Sequence, residues 1–375
     1  MKKPLFLLIL LHSLLLGACS AKDAPQNAVH GKLSMVDHSW LALTQRLQRD
    51  GFEKERLDQL FSRMDTPPSL RPMGSKIKEL YTLKFMSRPA PKSAKKAPAA
   101  NRLGIPGPWF KGVVTEANAR LCQEFIKSNS KAFALAQKKY GVPAPVGAAL
   151  LFVETRLGKL TGRENAFYTL ASMSSKFPVE NVLGYVDGIP GAEQRQDWVG
   201  ARMDEKSEWA YRELKALLAY CEANGIDPHS IPGSAYGAIG MCQFMPSNIS
   251  RFAEDGNGDG VIDLFTPADA ILSLSRYLSL HGWRAGMPLK GQVNALMRYN
   301  KMLKYAHTIL ALAKTIDNLD KAPAKGKRGT VKKSIAAQKP QARKAKKAGL
   351  DSRKTAPRQK RWVSAKGRDV TPYLD

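Results

Sequence analysis

From Pro106 to Asp317 one pattern recurs: apolar residues three or four positions apart, in stretches that close on glycine, proline or asparagine. That spacing places the apolar side chains of each stretch on one helical face, and a chain made of such stretches must pack those faces together. Ala117 to Tyr140 is one stretch, with Leu121, Phe125, Phe133 and Ala136 able to share a face before Gly141-Val142-Pro143 ends it. Pro145 to Leu157 follows, stopped at Gly158, and Trp209 to Ala223 runs into Asn224-Gly225. Thr266-Pro267-Ala268-Asp269 joins a capping hydroxyl, a proline at the first helical position and an early carboxylate, so a helix is expected from Pro267 to His281. Between Ser39 and Arg63, Trp40, Leu41, Leu43, Leu47, Phe52, Leu57 and Leu60 recur around an Asp50-Gly51 break, which predicts two more helices. Only Lys176 to Met203, with irregular glycine and proline, reads as loop or short strands. The expected fold class is mainly α.

The two ends belong to other chemistry. Lys2 and Lys3 precede an apolar run from Leu5 to Leu16, too short for a mature bilayer-spanning helix and matching a secretion signal. Its close, Leu16-Gly17-Ala18-Cys19, resembles a bacterial lipobox, which makes 1–18 a lipoprotein signal peptide and Cys19 the lipidated residue; a plain cleaved signal with an incidental cysteine is the alternative. Ser20, standing where a retaining Asp would be, directs such a lipoprotein to the periplasmic face of the outer membrane. Residues 19–35 read as a tether, 36–320 as the catalytic domain, and Pro-, Ala- and Lys-rich 87–103 as a flexible connection within it.

The net charge of +27 is concentrated in 321–375, where 18 Lys and Arg face Asp351, Asp369 and Asp375, a net +15. With few apolar anchors this basic tail is expected to be disordered. Export and the lack of interleaved aromatics exclude nucleic acid as its partner. Anionic envelope polymers fit instead, with a solvated spacer as the alternative. Beside Cys19 the chain has Cys122, Cys221 and Cys242, an odd number that allows at most one disulfide among them.

Glu154 ends the most apolar of the helical stretches. Partial burial and the negative end of the helix both favour its neutral acid form, which is what a general acid at a glycosidic oxygen requires. A helix-end glutamate paired with Arg156 or Arg163 is the plainer reading. Gly233-Ser234-Ala235-Tyr236-Gly237-Ala238-Ile239-Gly240-Met241-Cys242-Gln243-Phe244-Met245-Pro246 permits close backbone approach and then offers Gln243 to hydrogen-bond an acetamido or hydroxyl group and Phe244 to lie against a pyranose. Asp255-Gly256-Asn257-Gly258-Asp259-Gly260 matches the start of an EF-hand loop, with Val261 at the carbonyl position. Its twelfth position is Thr266, so Asp269 is the closing ligand expected for a structural calcium ion; a metal-free glycine-rich turn is the alternative.

In this order, and with His281-Gly282-Trp283, these segments resemble the lytic murein transglycosylases, most closely the membrane-bound lytic murein transglycosylase B family, from about Trp40 to Asn318. The resemblance implies a lysozyme-like helical core with an additional N-terminal helical subdomain, a small β segment and an extended EF-hand-like loop. It makes Glu154 the acid/base and Ser234, Gln243, Phe244, Tyr277, Tyr299, Asn300 and Tyr305 cleft-lining groups for peptidoglycan glycan strands. The implied reaction cuts the β-1,4 bond between N-acetylmuramic acid and N-acetylglucosamine and leaves a 1,6-anhydro end. Cys242 and the basic tail depart from the family pattern. Two rivals remain: a muramidase using Glu164 or Asp187 as second acid, and a non-catalytic murein-binding lipoprotein.

Overall fold

The computed structural model describes residues 39–86, 103–186 and 189–321. The expected signal peptide, Cys19, the tether, nearly all of the flexible connection, Asp187 and the tail beyond Lys321 lie outside them.

The chain divides at Pro67 into two compact units. The first holds α1 (39–49) and α2 (Lys54–Phe61), broken at Asp50-Gly51 as the sequence predicts. Trp40, Leu47 and Leu57 are buried there, and the Trp40 indole donates to the Thr66 carbonyl at 3.1 Å.

The second unit contains α3 (Arg71–Tyr81), α4 (Glu116–Ser128), α5 (Ser130–Tyr140), α6 (Ala144–Thr155), α7 (Ala166–Ser174), α8 (Val179–Val186), α9 (Gln196–Ala223), α10 (Pro246–Phe252), α11 (Pro267–Leu280), α12 (Leu289–Tyr299) and α13 (Leu303–Lys321). Its axis is α6. A helix apolar on every side must be covered on every side, and α4, α5, α11 and α13 pack around it, burying Val146 to Val153. Arg156 (φ 54°) and Leu157 (φ 60°) turn left-handed, so α6 ends at Thr155 rather than at the expected Leu157, and Glu154 falls in its last turn. The Thr155 hydroxyl donates to the Met241 carbonyl at 2.8 Å and accepts from the Gly158 amide at 3.0 Å, which fastens the helix end to the glycine-rich loop.

The small β element is two residues per strand, β1 (Glu164–Asn165) antiparallel to β2 (Pro232–Gly233). Backbone contact there is so close that a Cβ on Gly162 would lie 2.0 Å from the Gly233 carbonyl oxygen. The segment after α6 and the loop after β2 are thereby pressed together.

Three expectations are corrected. Ala117 to Tyr140 is two helices, because Asn129 leaves helical geometry and its side chain donates to the Phe125 carbonyl at 2.9 Å. Its apolar residues do not share one face: Leu121 is 42% exposed, whereas Phe133 and Ala136 are buried. Lys176 to Met203 is largely helical, forming α8 and the first turns of the 28-residue α9. Val182, Val186, Val199 and Met203 bury with Met73, Ile77 and Tyr81 of α3 in a cluster of their own, and this tertiary pairing overrides the glycines and prolines between them. Thr266 precedes α11, but its hydroxyl donates to the Asp263 carbonyl at 2.9 Å instead of capping the helix.

Candidate active site

Glu154 emerges half-buried at the end of α6, where the start of α13 brings Tyr305 against it. The Tyr305 hydroxyl donates to Glu154 Oε1 at 2.5 Å. Behind this pair the Tyr299 ring stacks on Tyr305 at 6.5 Å and meets Tyr277 edge-on at 4.9 Å, and its hydroxyl donates to the Cys242 carbonyl. Burial pushes both the Tyr299 and Tyr305 hydroxyls well above the usual phenol range, and the charge of Glu154 pushes them further. Both are proton-bearing donors at any working pH. Burial likewise pushes the Cys242 thiol up to about 12, again with Glu154 contributing. Glu154 is thus the carboxylate whose charge acts on Tyr299, Tyr305 and Cys242 alike.

The glycine-rich loop meets the end of α6 through the Thr155–Met241 bond. Ser234 Oγ accepts from the Ala238 amide at 3.0 Å and the Tyr236 amide at 3.3 Å, so its hydroxyl hydrogen is available to donate outward. Gln243 sits at φ 52° and its Nε2 donates to the Thr161 carbonyl at 2.9 Å and the Gly240 carbonyl at 3.0 Å. Both amide hydrogens are spent on joining the segment after Glu154 to the loop, which leaves Oε1 as the acceptor of that side chain. Asn300 Oδ1 accepts from the Met302 amide at 3.1 Å.

The Transglycosylase SLT domain family matches residues 36–351. The chain belongs to that family. The membrane-bound lytic murein transglycosylase B of Escherichia coli is 28% identical over 243 residues, 64% of this chain and 56% of that protein, so the match spans little more than half of that relative's length. The Escherichia coli lytic transglycosylase Slt35 in complex with calcium superposes with a TM-score of 0.55 at 20% identity, covering 76% of this chain and 94% of that one. SltB3 from Pseudomonas aeruginosa in complex with NAG-anhNAM-pentapeptide does so with a TM-score of 0.53 at 17% identity, covering 74% and 78%. The helical fold is therefore that of lytic transglycosylases, a family of enzymes.

Of the eight residues expected in the transglycosylase cleft, Glu154, Ser234, Gln243 and Tyr299 are half-buried. Phe244 is corrected: only 2% exposed, it packs on Tyr277 at 5.7 Å and Tyr299 at 6.0 Å, supporting the aromatic wall from behind instead of lying against a pyranose. Its neighbours explain this, since Phe252 and Tyr277 enclose it. Tyr277, Asn300 and Tyr305 are also buried; Tyr277 donates to the Arg298 carbonyl at 2.8 Å, and of these three only Tyr305 is hydrogen-bonded to Glu154. Sequence reasoning missed Thr155 and the backbone carbonyls of Thr161 and Cys242, whose roles depend on which loops meet in space. Cys122, Cys221 and Cys242 are buried thiols, and no disulfide joins them.

In the acidic loop, Asp255 accepts from the Gly258 amide at 2.6 Å and the Gly260 amide at 2.8 Å, and these bonds hold its carboxyl below the usual range. Gly260, at φ 86°, makes the expected turn. Asn257 donates to Asp259 at 2.7 Å, and Asp259 accepts from the Val261 amide at 2.8 Å. Asp269, 1% exposed, closes the loop by accepting from the Gly256 amide at 2.9 Å and the Asp263 amide at 2.6 Å. Burial first, opposed by those two bonds, and then the charge of Asp255 push its carboxyl up. Among the described residues no three carboxyl, imidazole or thiol groups converge as a ready-made metal cluster. The donor set is nonetheless all hard oxygen, and Asp255 and Asp269 oppose each other electrostatically in a way a divalent cation would relieve.

Proposed function

We propose that this chain cleaves the β-1,4 bond between N-acetylmuramic acid and N-acetylglucosamine in peptidoglycan without consuming water. Glu154 gives its proton to the glycosidic oxygen as the bond to muramic C1 breaks. The resulting carboxylate takes the proton of the muramic C6 hydroxyl, whose oxygen attacks C1 and closes a 1,6-anhydro ring. The proton is thus returned to Glu154, and the substrate supplies its own nucleophile. The observation that carries this reading is the Glu154 carboxylate, held by the Tyr305 hydroxyl beside an aromatic wall. A hydrolase of the two-carboxylate kind needs a partner acid. Glu164 is a poor one: its side chain is 47% exposed and faces Arg71 at 3.9 Å. Ser234, Gln243 Oε1 and Asn300 would orient the sugars, and the buried tyrosines would keep water from C1. Glu154→Gln should abolish release of fragments from purified sacculi while retaining sacculus binding; undiminished release would refute the assignment.

Calcium would be held by Asp255, Asn257, Asp259, the Val261 carbonyl and Asp269, and would brace the loop that leads into α11, with no part in the bond-breaking steps.

The address is the outer membrane, through a lipid on Cys19, with the tail binding anionic envelope polymers. No described helix is long and apolar enough to cross a membrane, and the relative from Escherichia coli is named as membrane-bound. Cys19→Ala should release the protein from membranes, and truncation after Lys321 should weaken sacculus binding at low salt; unchanged fractionation and binding would remove the two proposals respectively.

A further inference from the structure

Tyr236 of the glycine-rich loop reaches a buried ion pair on α3. Lys76 and Glu79 lie one turn apart on α3, with Nζ to Oε2 at 3.4 Å and side chains only 2% and 13% exposed. The Tyr236 hydroxyl donates to the same Glu79 Oε2 at 3.2 Å, and Lys76 Nζ sits 4.2 Å from the centroid of the Tyr236 ring. An ion pair this deep gains little net stability, because the desolvation of both charges offsets most of their attraction. What such a pair does supply is a fixed geometry. Here the fixed object is the Tyr236 backbone, whose amide donates to Ser234 Oγ. Every link from α3 to the Ser234 hydroxyl is therefore a directional contact.

We propose that Lys76, Glu79 and Tyr236 form a clamp by which α3 sets the position of Ser234, making them positioning residues for substrate binding. The ring–ammonium contact fixes where Tyr236 lies, its bond to Glu79 fixes its rotation, and its amide then fixes the direction of the Ser234 hydroxyl. Loss of the clamp weakens the grip on sugar and leaves the chemistry at Glu154 intact.

The test is a double-mutant cycle with a parallel exchange measurement, on the full chain. Tyr236→Phe keeps the ring and deletes the bond to Glu79; Ser234→Ala deletes the proposed recipient. With sacculi as substrate, each single change should raise KM by about five- to tenfold, the size of one hydrogen bond, with kcat within about twofold. The double variant should be no worse than Ser234→Ala alone. Additive effects, or a loss in kcat with KM unchanged, would overturn the clamp. The kinetic arm rests on the proposed peptidoglycan cleavage, so inactivity of the wild type would count against that reading and leave the clamp to the second arm. There, amide exchange across 233–244 should quicken about tenfold in both Tyr236→Phe and Glu79→Gln, with α6 unchanged. Exchange equal to wild type in that loop would overturn the clamp independently of any activity.

Discussion

Replacing Tyr305 with Phe removes one hydroxyl and leaves the buried ring in place. The hydroxyl is the donor to Glu154 Oε1 at 2.5 Å, in a site where burial strengthens such a bond. Hydrogen bonds to a charged partner contribute about 1.5–3 kcal/mol. At about 1.4 kcal/mol per decade, that corresponds to a loss of roughly 10- to 100-fold in kcat if the bond aligns the carboxyl for both proton transfers. KM should stay within about threefold, because Tyr305 is only 1% exposed and the proposed sugar contacts are Ser234, Gln243 and Asn300. The assay is the initial rate of soluble fragment release from sacculi across a range of sacculus concentrations, with thermal melting to show that the variant is folded. A kcat within twofold of wild type in a folded variant would refute the view that Tyr305 holds the catalytic carboxyl. A rise in KM alone would mean that Tyr305 binds sugar instead.

The core makes a separate prediction: Leu150→Ala, at the fully buried centre of α6, should cost about 2–5 kcal/mol and lower Tm by roughly 5–15 °C, read by calorimetry. A fall of a degree or less would mean that α6 is not the axis of packing. Calcium should raise Tm, by the equivalent of about 2.7 kcal/mol at a hundred times its Kd, and Asp269→Asn should remove the effect; a melting curve indifferent to calcium and chelator would dismiss the site. Alkaline pH should destabilise the protein through its buried thiols. Cys122 and Cys242 are both pushed up to about 12 by burial, whereas their unfolded value is 9.0. A group raised in the folded state gives stability that is complete below the unfolded value and is lost as pH climbs toward the folded one, here from about 9 to 12. At pH 10 each thiol should cost about 1.4 kcal/mol, and the Cys122→Ala/Cys242→Ala variant should show a smaller drop in Tm between pH 8 and pH 10 than wild type. Equal drops would contradict the burial argument.

What could be read from the sequence was local. The apolar run ending in Glu154, the Pro267 start of α11 and the Asp50-Gly51 break each depend on a few neighbouring residues, and each stands in the structure where expected within two residues. Asn129 was legible only in hindsight, because a single asparagine in a long helical pattern is as often tolerated as not. Val182 and Val199 concealed their helices because the partner surface, Met73, Ile77 and Tyr81, lies a hundred residues upstream. The site divides the same way. Motif positions brought Glu154, Ser234 and Gln243 into view, but not that Gln243 spends its amide on Thr161 and Gly240, nor that Phe244 turns inward. Those facts depend on how the segment after α6 meets the glycine-rich loop, which no spacing within either segment encodes.

The most direct test of the account is the digestion of purified sacculi in water enriched in heavy oxygen, followed by mass analysis of the muramic ends. Self-attack by the polymer predicts ends lighter by one water and carrying no label, absent when Glu154 is Gln. Labelled, fully hydrated ends would establish a muramidase, and no soluble fragments at all from a folded protein that still binds sacculi would establish a wall-binding lipoprotein; either result contradicts the single-carboxylate mechanism.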